Sequence, residues 1–197
     1  GFMPKGMTIG TIGSLRPVKG HKYLIQALPK ILQKFPESKL IIVGEGELKD
    51  ELAQLSKELQ VARNISFLGQ RSDVQDLLYM FDVVVQPSLS EGISLVILEA
   101  MASAKPVIAT DVGGNSTLLK NYKTGILVPA HDSESLARSV IELMQDPKRM
   151  GELGKNAYEE VNKKFSIFNT VSAYESLYVS AINGNKESKG WVSQKSV

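Results

Sequence analysis

Short apolar runs alternate along the chain with stretches whose apolar residues recur every three or four positions. The runs are Thr8 to Gly13, Leu40 to Val43, Ile65 to Leu68, Val83 to Val85, Pro106 to Ala109 and Ile126 to Val128. They are rich in β-branched residues and lack polar alternation, the pattern of strands buried on both faces. Between them, Tyr23, Leu24, Ile25, Ala27, Leu28, Ile31 and Leu32 fall at helical spacing, as do Leu48, Leu52, Leu55 and Leu59. Val74 to Phe81 and Ser94 to Ser103 read as two further helices. Six strands joined by helices predict an α/β fold, a Rossmann-like doubly wound parallel sheet with helices on both faces.

After Val128 the pattern becomes wholly helical. Asp132 or Ser133 can cap a helix reaching Gln145, and Pro147 opens another. A third, from Ser166 to Ile182, carries Phe168, Val171, Tyr174, Leu177, Tyr178 and Ile182 on one face. Residues 1–182 therefore form one domain. Residues 183–197 are polar and rich in Ser and Lys, which predicts a disordered tail in which Trp191 has no assigned role.

In a doubly wound sheet ligands bind beyond the carboxyl ends of the strands. The Gly-rich and polar clusters all follow strands: Gly13 to Gly20, Gly44 to Gly46, Gly69 to Asp73, Ser88 to Ser94 and Asp111 to Asn115. Five separate loops meeting at one rim point to a site. Composition narrows what it takes. The 197 residues are 43% apolar, enough for a core, and carry 23 Lys plus Arg against 21 Asp plus Glu, so nothing suggests a nucleic-acid partner. The chain has no Cys, which excludes disulfides and thiol nucleophiles, and His21 and His131 are too far apart in sequence to suggest a zinc site. No apolar run approaches the roughly 18 residues of a membrane span, and the opening residues lack a signal-peptide core, so a cytoplasmic location is the default. The sequons at Asn64 and Asn115 are read as chance.

The most specific segment is Pro87-Ser88-Leu89-Ser90-Glu91-Gly92-Ile93-Ser94-Leu95-Val96-Ile97-Leu98-Glu99-Ala100. It sets two carboxylates on either side of a helix start. Free N–H groups and a partial positive charge at that start favour an anion. Ionised carboxylates only accept hydrogen bonds, so Glu91 and Glu99 suit hydroxyls rather than phosphate. A ligand with phosphate in its middle and hydroxyl-rich rings at both ends, a nucleotide sugar, meets these demands. Arg16 and Lys19, just past the first strand, supply cations for a diphosphate. Gly44 and Gly46 lack the third Gly and the later acidic residue of a dinucleotide fingerprint, and read first as turn glycines with positive φ. No GxxxxGK[ST] occurs.

The segments SLRPVKGHKYLIQAL, LIIVGEGEL, ISFLGQRSDV, VVVQPSLSEGISLVILEAMASAKPVIATDVGGN and TGILVPAHDSESLA together resemble the donor-binding half of retaining GT-B glycosyltransferases, most of all the family 4 group (glycosyl transferases group 1). The resemblance covers Thr8 to Ile182. It implies that Glu91 contacts the donor sugar near its anomeric carbon, with Arg16 and Lys19 beside it in the catalytic set. It implies that Glu99 holds the ribose hydroxyls, and that the backbone of Gly92, Ile93, Ser94 and Leu95 meets the diphosphate. Gly69, Gln70 and Arg71 would line the base pocket, with Gly13 and Gly44 beside the ligand. No metal or cofactor is implied beyond the nucleoside-diphosphate sugar donor.

Two positions depart from the family pattern. Ser14 stands where relatives often carry Arg, with Arg16 two residues on and on the same face of an extended segment. Thr117 stands where relatives often carry Glu. Both bear on donor preference. The resemblance also implies that the acceptor binds in an N-terminal domain outside this chain, through which peripheral membrane association would act, and that this fragment binds donor but transfers nothing by itself. The aromatic residues Phe165, Phe168, Tyr174 and Tyr178 of the last helix would then be partly exposed. The alternatives are a non-catalytic nucleotide-sugar-binding module and a nucleotide-sugar epimerase of GT-B architecture. A paired-carboxylate glycosidase is disfavoured because phosphate-binding features lie between the two Glu residues.

Overall fold

The computed structural model describes residues 6–182, so the expectations for the tail and Trp191 lie outside the described residues. The elements run β1 (Thr8–Ile12), α1 (His21–Lys34), β2 (Lys39–Val43), α2 (Lys49–Glu58), β3 (Ile65–Phe67), α3 (Val74–Met80), β4 (Val83–Gln86), α4 (Leu95–Ala102), β5 (Val107–Thr110), α5 (Asn115–Leu118), β6 (Ile126–Val128), α6 (Ser133–Gln145), α7 (Pro147–Lys164) and α8 (Ile167–Ile182). The six described strands pair in parallel throughout and lie in the order β3-β2-β1-β4-β5-β6. The expected doubly wound sheet is therefore present. The order reverses between β1 and β4, which opens a crevice at their carboxyl ends.

Register levels those ends. Ile12 pairs with Val43, Ile42 with Phe67, Gln86 with Ala109 and Thr110 with Val128. The loops that follow the strands consequently start side by side. One face of the sheet presents Ile9, Leu40, Ile42, Val83, Val85 and Ile108 to a cluster completed by α1 and α6, including Leu24, Leu28, Ile31, Leu136, Val140 and Leu143. Full burial of each such side chain contributes about 1.5–3 kcal/mol, which is what keeps these short strands in place. The opposite face packs α4 on β4 and β5. There Gly10 is obligatory, because a Cβ at that position would lie 2.0 Å from the Phe81 ring.

Differences from the sequence reading are local. Strand and helix ends move by a residue or so. The helix expected from Ser94 to Ser103 is α4, with Ser94 as its cap: the Ser94 hydroxyl accepts from the Ile97 N–H at 3.4 Å. Of the two candidates at α6, Asp132 is the cap. Its carboxylate accepts from the Ser135 hydroxyl and N–H, and these bonds hold its pKa below the usual carboxylate range. The four-residue α5 has no counterpart in the sequence reading, being polar and too short for periodicity. Both sequon asparagines are buried, Asn64 donating to the Ser38 carbonyl at 2.9 Å and Asn115 to that of Thr110 at 3.0 Å.

The chain divides into two compact units, one ending at Glu159 and one beginning at Glu160. The second holds α8, whose Phe168, Tyr174 and Tyr178 are exposed, as is Phe165 before it. Among the described residues no helix is long and apolar enough to cross a membrane.

Candidate functional site

The five loops beyond the carboxyl ends are laced together by backbone hydrogen bonds. Gly44 N–H donates to Gly69 O at 2.8 Å, Gly13 N–H to Val43 O and Leu15 N–H to Glu45 O at 2.9 Å each. Leu89 N–H donates to Val18 O at 2.7 Å, and Gly114 N–H to Gly92 O at 2.9 Å. The lacing runs in the order of the strands, from the loop after β3 to the loop after β5, and makes one continuous rim. It also means that the amides of Gly13 and Gly44 already have acceptors within the protein.

At the crevice between β1 and β4, Lys19 and Glu91 meet. Lys19 Nζ donates to both oxygens of Glu91, at 2.7 Å to Oε2 and 3.0 Å to Oε1, and the Ser88 hydroxyl adds a bond to Oε2 at 2.9 Å. The Glu91 side chain is only 12% exposed, so this pair is shielded far better than a surface salt bridge. The expected role of Lys19 is to serve a diphosphate. In this structure it neutralises Glu91 instead, a pairing between residues 72 positions apart.

Next to Glu91 the backbone lies open. Gly92, Ile93 and Leu95 are exposed, whereas the Ser94 side chain is buried in its cap. Among the described residues no group accepts from the N–H of Gly92, Ile93 or Ser94. A Cβ at Gly92 would meet no atom of the described residues beyond its chain neighbours within 4 Å, so space stands open beside this glycine. Glu99 is exposed one turn beyond Leu95 on α4, its carbonyl accepting from Ser103 N–H while its carboxylate has no hydrogen bond to a described group, and Arg16 is exposed on an extended residue just past β1. Uncommitted donors, an acceptor carboxylate on each side and an exposed guanidinium together suit an anionic, polyhydroxylated ligand. Among the described residues no three His, Asp or Glu side chains are grouped so as to hold a metal ion.

The other expected residues fall on the same rim with different roles than residue type alone indicates. Gly44, at φ 138°, has the positive φ expected of it. Gly46 does not; it is required because a Cβ there would lie 2.5 Å from the Leu15 carbonyl. Gly69, at φ 70°, turns the chain after β3. Gln70 is exposed, and Arg71 is folded onto Asp73 by two hydrogen bonds of 2.8 and 2.6 Å. That fork raises the Arg71 pKa and lowers that of Asp73.

Three features escape the sequence reading. Gly113, at φ 52°, lies so close to Glu91 that a Cβ would sit 1.7 Å from its carbonyl oxygen. Ser88, Thr110 and Asn115 are fully buried polar residues behind Glu91. His21 is buried beneath the Gly13–Gly20 loop, its Nε2 3.3 Å from the Ser14 carbonyl, and burial pushes its pKa down to about 4. The Gly113-Gly114 pair and Ser88 are visible in the motif; what they touch is not.

The family described as glycosyl transferases group 1 matches residues 2–160. An N-acetyl-alpha-D-glucosaminyl L-malate synthase of Bacillus anthracis is 34% identical over 178 residues, covering 90% of this chain and 46% of that protein. Among solved structures, Anabaena HepE in complex with UDP-glucose superposes with a TM-score of 0.82 at 29% identity, over 89% of this chain and 49% of that one. The C-terminal domain of a Francisella tularensis glycosyl transferase group 1 family protein superposes with a TM-score of 0.75 at 30% identity, over 82% of this chain and 87% of that one. The chain spans about half the length of the curated relatives it matches.

Proposed function

The chain belongs to the glycosyl transferases group 1 family, and from that premise we propose that residues 1–182 are the donor-binding half of a retaining glycosyltransferase. The observation that carries this reading is the set of uncommitted amides at Gly92, Ile93 and Ser94, lying between Glu91 and Glu99 at the sheet's switch point. The donor is a nucleoside-diphosphate sugar, the class to which the UDP-glucose held by HepE belongs. Its diphosphate rests on those amides with Arg16 and Lys19 as counter-charges, Glu99 accepts from the ribose hydroxyls, and Glu91 accepts from the sugar. The base lies toward Gly69, Gln70 and Arg71.

When the bond from the anomeric carbon to the diphosphate breaks, its electron pair goes to the departing phosphate oxygen. Amides and cations already in place stabilise that charge without reorganising, and such preorganised stabilisation usually lowers the barrier more than any other effect. Because Lys19 begins on Glu91, donor phosphate must share or displace that ammonium, and doing so leaves a Glu91 oxygen for the sugar. The acceptor binds in an N-terminal domain outside this chain. By itself the chain is expected to bind donor and to turn over none; sugar transfer by the isolated chain would overturn the division of labour.

Calorimetry with UDP, GDP and ADP sugars, the free diphosphates and the nucleosides tests the ligand assignment. Glu99→Gln is expected to weaken every ribose-containing ligand about tenfold or more, the worth of a hydrogen bond to a charged acceptor. Its unfolding free energy should stay within about 0.5 kcal/mol of wild type, because Glu99 is exposed. Arg16→Ala should weaken diphosphates about tenfold and nucleosides hardly at all. Equal losses across ligands for Arg16→Ala, or unchanged affinity for Glu99→Gln, would remove that residue from the site.

A further inference from the structure

Behind Glu91 three buried polar side chains form a line into the core. The Ser88 hydroxyl donates to Glu91 Oε2 at 2.9 Å, and Thr110 Oγ1, at the end of β5, donates to the Ser88 carbonyl. Asn115 Nδ2, at the start of α5, donates in turn to the Thr110 carbonyl at 3.0 Å. Ser88 and Asn115 are 0% exposed and Thr110 is 1% exposed. Thr110 ends β5, whose other residues are Val107, Ile108 and Ala109, while Ser88 follows β4 and Asn115 opens α5. Buried hydroxyls and amides are costly unless their hydrogen bonds are made, so Val at position 110 would serve packing alone better. The chain of bonds ends on one carboxylate oxygen.

That ending is asymmetric. Among the described residues Oε2 takes two donors, Ser88 Oγ at 2.9 Å and Lys19 Nζ at 2.7 Å, whereas Oε1 takes only Lys19, at 3.0 Å. The backbone of Glu91 is pinned from the same side, its carbonyl accepting from Gly114 N–H at 3.3 Å. Resting on the reading of Glu91 as the sugar-contacting carboxylate, we infer that Ser88, supported by Thr110 and Asn115, is a positioning residue that fixes the rotation of this carboxylate. Oε2 is the anchored oxygen. Oε1 is the one presented to a sugar hydroxyl once donor phosphate draws Lys19 away. Recognition of the sugar then depends on residues that never touch it, and recognition of the diphosphate does not.

The test compares two affinities in the intact chain: a nucleoside diphosphate and the corresponding sugar nucleotide, chosen as the tightest of UDP-glucose, UDP-N-acetylglucosamine, GDP-mannose and ADP-glucose. The readout is their ratio, the affinity gained from the sugar. Ser88→Ala removes the anchoring donor, and Thr110→Val, nearly isosteric, removes the support for Ser88 if the first variant folds poorly. Each is expected to cut the ratio about fivefold to tenfold while leaving diphosphate affinity within about twofold, and Thr110→Ser should retain it. A general packing role would lower both affinities by one common factor in both variants, and that result overturns the inference. If Glu91→Gln cuts the ratio but Ser88→Ala and Thr110→Val leave it intact, Glu91 is the sugar contact and the positioning role is refuted. If Glu91→Gln itself leaves the ratio unchanged, the assignment of Glu91 falls, and the positioning role falls with it.

Discussion

Gly113→Ala is expected to lower the unfolding free energy by about 3 kcal/mol and to abolish tight donor binding. Two costs add. Alanine at φ 52° takes on the left-handed strain that glycine avoids, about 1–2 kcal/mol. Its Cβ would also lie 1.7 Å from the Glu91 carbonyl oxygen, which no rotamer change relieves because that oxygen belongs to the backbone. The loop after β5 must therefore move off the loop after β4, stretching the bonds from Gly114 N–H to Glu91 O at 3.3 Å and to Gly92 O at 2.9 Å. Overpacking of this kind costs about 1–3 kcal/mol more. In a domain of this size the sum corresponds to a Tm lower by about 9 °C, read by thermal or denaturant unfolding.

Gly92→Ala is the informative companion. Its Cβ would meet no atom of the described residues beyond its chain neighbours within 4 Å, and Gly92 has no left-handed φ. Stability should then stay within about 0.5 kcal/mol of wild type. Donor affinity should nevertheless fall about tenfold, because the added methyl group crowds a ligand resting on the free Gly92 N–H beside it. One glycine is held by the fold and the other is left open for a ligand. If both variants lose stability alike, that distinction is wrong.

The same contrast explains how much is legible in one dimension. The strands can be read because a parallel sheet buries Val83, Val84 and Val85 on both faces, and buried runs need no periodicity to be seen. The Glu91 and Glu99 pair can be read because its spacing and the helix start are local facts. The Lys19 pairing with Glu91 cannot, since each residue is ordinary in its own segment and only the strand order β2-β1-β4 brings the segments together. Gly46 is misread for a similar cause: a turn glycine and a glycine under a neighbouring carbonyl look identical along the chain. Arg71 shows the limit for long side chains, because an exposed guanidinium takes the nearest carboxylate, here Asp73. Short, polar α5 offers no apolar stripe, so only the structure places Asn115 behind the site.

His21 carries the remaining large effect, and it makes stability depend on pH. Burial is the main cause of its depressed pKa, about 4 against an ordinary 6.5, with bonds to the Ser14 and Gly13 backbone opposing the shift and the charge of Lys19 adding to it. If Nε2 donates to the Ser14 carbonyl, the neutral ring keeps an unprotonated Nδ1, which is buried without a partner among the described residues. Protonation would put a donor there with nothing to receive it. The folded state thus favours neutral histidine more than the unfolded chain does. The resulting stability is fully present above pH 6.5 and is lost as pH falls from 6.5 toward 4, in all about 3 kcal/mol. Denaturant unfolding at pH values of about 7, 5.5 and 4.5 should show that decline in wild type on top of the carboxylate titration common to any chain. His21→Gln preserves a donor toward Ser14 without a titrating ring, so the difference between the two proteins should shrink by about 2.5 kcal/mol between pH 7 and 4.5. Parallel pH profiles would mean that His21 does not stay neutral in the fold. Because the ring supports the same loop that carries Arg16 and Lys19, donor affinity in wild type should weaken over the same interval, and in His21→Gln it should weaken less.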